Sequence, residues 1–127
     1  MFAAVLILAA ATAGPVHQHS KDRTCSAKNS QMEMNRCAEQ QFERADKVLK
    51  VTLARAGALA KDNSVKTRLL VGSENAWVKF RDSECALVAD EDRGGSIAPQ
   101  SYRECLTDLT KERTKDLAEF AEGWKAR

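Results

Sequence analysis

The chain has 127 residues, enough for one small domain. Its 20 Lys+Arg and 18 Asp+Glu nearly balance at +2, with no basic stripe of the kind a nucleic-acid binder carries. Two Pro and six Gly are few for a turn-rich all-β protein, and the richness in Ala, Leu, Lys, Glu and Arg points to helix.

Residues 1–13 read as a signal peptide. Phe2 to Ala11 is an uncharged apolar run, and Ala11-Thr12-Ala13 fits the small-x-small cleavage pattern, placing a mature start at Gly14. The run is too short to span a bilayer. Cys25 follows Asp22-Arg23-Thr24, which is not a lipid-attachment context, so a soluble periplasmic or secreted protein is expected. Residues 14–29 form a polar segment in which His17 and His19 read as incidental, and residues 30–124 form the helical domain.

Ser30 to Glu33 spells a capping box, with Ser30 as N-cap and Glu33 reaching back. From there Met34, Ala38, Phe42, Ala45, Leu49, Leu53, Ala56 and Leu59 recur at helical steps. Lys61-Asp62-Asn63-Ser64 reads as a turn and a new N-cap. A second helix, about Val65 to about Asp90, has Val65, Leu69, Ala76, Trp77, Phe80 and Leu87 as its expected core stripe. Gly72 and Ser73 on it are small positions where a neighbour can approach. A polar, Gly-containing connection, 90–96, leads to a third helix beginning near Pro99 to Ser101, where Ser101 and Glu104 form a second capping-box pattern. Its stripe is Tyr102, Leu106, Leu109, Leu117, Phe120 and Trp124, with Arg113 in the middle of it. Three helices with short connections predict an all-α, antiparallel up-down-up bundle.

Four cysteines in an exported small domain imply two disulfides, Cys25, Cys37, Cys85 and Cys105 being too far apart for the close ligand pairs of zinc sites. Counting outward from the turns puts all four at one end of the bundle. Register favours Cys37–Cys85 with Cys25–Cys105, and Cys25–Cys37 with Cys85–Cys105 is the alternative. The same count sets Asp46, Trp77 and Arg113 at one level. Arg113 is thus expected to pair with Asp46 beside Trp77, or with Asp82 or Glu84 in its place, because a buried unpaired charge is costly. Trp77 and Phe80 read as mid-core, and Arg81-Asp82 as ties between helices.

Met34-Asn35-Arg36-Cys37-Ala38 with Phe42 and Ala45-Asp46, then 76–85 with its Trp77 and Cys85, then Gly94-Gly95-Ser96, Pro99, Cys105-Leu106-Thr107, Leu109-Thr110, Arg113 and Leu117, resemble the three motifs of the lysozyme inhibitor LprI-like family of exported bacterial proteins. The resemblance covers roughly residues 25–120. It departs from the pattern at Leu49-Lys50 and Leu53, at Glu74 where the family usually has Gln, and in lacking the lipid anchor of the family's namesake. It implies a helical, disulfide-linked periplasmic or envelope domain with lysozyme inhibition as the inherited function.

The residues themselves argue against catalysis. The only histidines lie in the N-terminal segment, the cysteines are expected to be oxidised, and Asp82 and Glu84 point in different directions on a helix. Nothing in the sequence identifies a cofactor, metal or nucleotide. Lysozymes are usually basic outside and acidic at the catalytic centre. Asp90, Glu91 and Asp92 are therefore offered as contacts for a basic rim, and Arg93, Ser96 and Tyr102 as contacts for catalytic carboxylates. The alternative is a non-catalytic envelope interaction or structural module binding another envelope protein.

Overall fold

The computed structural model describes Cys25 and residues 30–127. The apolar run 2–11, the Ala11-Thr12-Ala13 step, His17 and His19 lie outside the described residues. Three helices follow one another: α1 (Gln31–Ala60), α2 (Ser64–Asp90) and α3 (Ala98–Lys125). No strand occurs among the described residues. The expected up-down-up bundle is the architecture observed.

The helix starts obey local rules where a side chain can cap them. Ser30 Oγ accepts the Glu33 backbone N–H at 3.2 Å, and Asn63 Oδ1 accepts that of Lys66 at 2.9 Å. Helix α3 starts differently from the expected capping box. Its N-cap is Ile97, without a side-chain bond, and Pro99 stands in the first turn. Ser101 lies inside the helix, where its hydroxyl donates to Asp92 Oδ2 rather than capping anything.

Helix α3 is the centre of the bundle. It packs along α1 over most of its length and along part of α2, while α1 and α2 meet least. The close α1–α3 approach comes from small buried residues, Ala38, Ala45, Ala56 and Ala60 on α1 and Ala121 on α3. The two helices run parallel, as the cross-links Glu39–Arg103 and Arg55–Glu122 require. One apolar cluster joins Leu49, Ala56, Leu70, Leu117 and Ala121, and a second joins Cys85, Cys105, Leu106 and Leu109. Trp77 packs against both. The expected α1 and α3 stripes form most of this core, but Leu59 and Phe120 are exposed.

Helix α2 is rotated away from the expected face. Trp77, expected mid-core, packs against both clusters but is only half-buried, and Val65, Leu69, Ala76, Phe80 and Leu87 face outward. The buried side consists of Leu70, Glu74, Trp77, Arg81, Cys85 and Val88, also spaced at steps of three and four. Two charged residues break its apolar pattern and conceal it from a hydrophobic reading. What selects this face is its bonding to α3, through a disulfide and a buried ion pair.

The disulfides are Cys25–Cys37 and Cys85–Cys105, each with Cα atoms 5.5 Å apart. This corrects the favoured Cys37–Cys85 and Cys25–Cys105 pairing. Counting residues from the turn sets Cys37 and Cys85 at similar levels, but a similar level is not facing, and a bridge needs Cα atoms within roughly 7 Å. Cys85 looks onto α3, where Cys105 lies beside it in the same core cluster. Half-buried Cys37 instead meets the chain that precedes α1. In the chain-entropy account, loops of 12 and 20 residues contribute roughly 3 kcal/mol apiece.

Candidate functional site

The charged residues singled out by the sequence form a stack rather than a pocket. The Arg113 guanidinium lies 5.8 Å from the Trp77 ring, and Arg81 lies 5.1 Å from Trp77 and 5.4 Å from Phe42. Arg103 then lies 5.6 Å from Phe42 and 5.5 Å from Tyr102. Three cations and three rings thus alternate across α3, α2 and α1. Each cation also has a carboxylate: Glu74 for Arg113, Asp82 for Arg81 and Glu39 for Arg103. A cation over a ring contributes roughly 0.5–2 kcal/mol, more when desolvated. The stack therefore ties the three helices together.

Within it, Arg113 is the buried cation the sequence marked, but its partner is not Asp46. Arg113 Nε donates to Glu74 Oε2 at 3.0 Å and its Nη2 to Ser73 Oγ at 2.9 Å. Asp46 pairs instead with Lys50, one turn on along α1, at 2.6 Å. Asp82 is taken by Arg81, so it does not serve Arg113 either. The physical reason is again the rotation of α2, which carries Glu74 onto α3. The signal for Glu74 was present as the departure from the Gln usual in the resembled motif, where a carboxylate stands within reach of a buried Arg. Phe80, expected beside Trp77 in the core, is 52% exposed. The two rings sit either side of the boundary between buried and open faces.

The loop between α2 and α3 lies at the Cys85–Cys105 end. Three successive turn bonds shape it, Asp92 N to Ala89 O, Arg93 N to Asp90 O and Gly95 N to Asp92 O. Gly94 has φ +80°, a conformation favouring glycine, and a Cβ on Gly95 would sit 3.1 Å from Asp92 O. The loop is fastened from both sides. Asn35 Nδ2 donates to Ser96 O at 3.2 Å, Gln31 Nε2 donates to Gln100 Oε1 at 2.8 Å, and Ser101 holds Asp92. Sequence reasoning missed these α1 anchors, because nothing local marks Gln31 and Asn35 as partners of residues more than sixty positions away.

Among the expected contact residues, Asp90, Glu91, Arg93 and Ser96 are exposed and Asp92 is half-buried. Arg93 binds Asp90 Oδ1 through Nε at 2.8 Å and through Nη2. Tyr102 packs against the Cys85–Cys105 cluster, which makes it part of the loop's footing. Among the described residues no group of three His, Cys, Asp or Glu is placed to hold a metal, and no helix is long and apolar enough to cross a membrane.

The family model for lysozyme inhibitor LprI matches residues 22–117, and the chain belongs to that family. A similar protein from Rhizobium meliloti (strain 1021), called uncharacterized protein R02472, is 33% identical over 119 residues, covering 85% of this chain and 86% of its own length. No solved structure shows a significant match.

Proposed function

We propose that this chain is an exported envelope protein that binds a lysozyme and inhibits it, acting without catalysis. The LprI match across most of the chain carries this reading. Both disulfides, with all four cysteines used, fit an oxidising compartment, and the apolar run 2–11 fits export to it.

The contact surface in this reading is the loop 90–96. A loop fastened to α1 and α3 before binding loses little conformational freedom on docking. Glu91 and Asp90 lie open toward solvent and suit a basic rim. Arg93 arrives with its charge held by Asp90, so a catalytic carboxylate would take over an ion pair already formed inside the loop. This exchange spares Arg93 part of the cost of losing water.

A lysozyme turnover assay with micromolar protein tests the proposal. Inhibition is expected, weakened several-fold by Arg93→Ala and by Glu91→Ala, neither of which removes a loop anchor. Full lysozyme activity in the presence of the folded protein would sink the inhibitor reading. Inhibition indifferent to both substitutions would move the contact away from this loop.

A further inference from the structure

The outward face of α2 carries a stripe with internal symmetry. Val65, Leu69, Gly72, Ala76, Phe80, Ser83 and Leu87 follow at steps of 4, 3, 4, 4, 3 and 4, and all seven are exposed. Four of them are large apolar side chains left open to solvent: Val65 53%, Leu69 66%, Phe80 52% and Leu87 66%. The spacing reads the same in both directions from Ala76.

We infer that this stripe is a homodimer seam, with two copies of α2 packed antiparallel about a two-fold axis at Ala76. Such an axis sets Phe80 of one copy over Gly72 of the other, Leu69 over Ser83, Val65 over Leu87 and Ala76 over Ala76. Each ring or branched side chain near the centre meets a small residue, the complementarity that close helix packing needs. The inference is independent of lysozyme inhibition, because the stripe lies on a different face from the 90–96 loop's anchors.

Two further observations support a second copy as the occupant. Gly72 stands well inside α2, where glycine costs about 1 kcal/mol relative to alanine. A Cβ there would meet nothing within 4 Å, so packing within one copy does not require its smallness. A facing Phe80 does. The flanking charges obey the same symmetry. The pair Lys66 and Glu84 both lie about 80° from Ala76 at 100° per residue, on one flank of the stripe. The two-fold axis brings each copy's Lys66, which rests over its own Trp124 ring, near the other's Glu84, level to about 3 Å. Antiparallel helices also align their dipoles favourably. Beside the seam, Val65, Leu69, Leu70, Phe120 and Trp124, with Lys66 and Ser73, line a largely apolar groove of about 510 Å³.

Sedimentation velocity of the oxidised full chain between about 1 and 100 µM tests the seam. A reversible dimer is expected in that range. Ala76→Arg should raise its dissociation constant at least roughly tenfold with an unchanged circular dichroism spectrum. Register is read by single cysteine variants. Ala76→Cys, which meets itself on the axis, should form an intermolecular disulfide under mild oxidation, and Ala54→Cys on the exposed side of α1 should not; non-reducing peptide maps identify the linked residues. A monomer at every concentration overturns the inference, including one that instead captures a different protein on this face. A dimer indifferent to Ala76→Arg, or equal cross-linking at Ala54→Cys, overturns it as well.

Discussion

The two faces of α2 invert the usual arrangement. The inner face buries a carboxylate and a guanidinium, Glu74 and Arg81, beside Trp77 and Cys85. The outer face shows Val65, Leu69, Phe80 and Leu87 to solvent. Apolar periodicity therefore points to the wrong side of a helix when the buried side carries charged residues. Specific bonds mark the inner side: a disulfide to Cys105, an ion pair to Arg113 and a cation on the Phe42 ring have the geometry to hold one face against its neighbours. A buried charge that is fully partnered is tolerated, and it is intolerant of any other rotation of the helix.

The comparison breaks most severely at the inner face. Arg113→Met leaves Glu74 buried beside an apolar side chain and is expected to destabilise the chain by about 3 kcal/mol in chemical denaturation. Replacing both partners, Arg113→Met with Glu74→Leu, should recover most of that loss, since the cost lies in the orphaned charge. A double variant as unstable as the single one would mean that the stack of rings and cations, rather than the pair, holds α2 to α3.

On the outer face the expected effect is small. Phe80→Ser removes a half-exposed ring that neither core cluster includes. In dilute solution, where copies are separate, it should change unfolding stability by less than about 0.5 kcal/mol. A larger loss would place Phe80 inside the folding core after all.

The smallest effect belongs to the exposed tie between α1 and α3. The hydrogen bond from Arg55, aided by the charge of Lys125, holds the Glu122 carboxyl below the ordinary 4.5. A carboxylate whose folded value is depressed stabilises above the ordinary value and loses that contribution as pH falls through its folded value. At low salt the melting temperature of Glu122→Gln should sit slightly below wild type at neutral pH, and the two profiles should merge at acid pH below 4.5. Profiles that stay parallel into acid would mean the tie contributes nothing.

Much of the fold was legible because it is local. Ser30 and Asn63 cap the residues next to them, and the α1 stripe follows from the buried Ala38, Ala45, Leu49 and Ala56. The burial of Arg113 was legible too, since a lone cation interrupts an apolar stripe. Its partner was not, because Asp46 and Glu74 are both near its level and only the side of α2 turned toward α3 chooses between them. The candidate loop was visible as an acidic, glycine-containing connection. Its fastening by Gln31 and Asn35 was invisible, because those bonds cross more than sixty residues of chain.

Sequence alone determined three helices, their direction, the use of all four cysteines in disulfides and the family. These depend on neighbours along the chain, on register, and on residue types that few alternatives accommodate. Tertiary structure alone decided which cysteine meets which, which carboxylate meets Arg113, and which apolar stripe of α2 stays outside. All three depend on the rotation of one helix about its axis, and apolar periodicity misjudges that angle when the buried face carries charged residues and the exposed face the more regular apolar stripe.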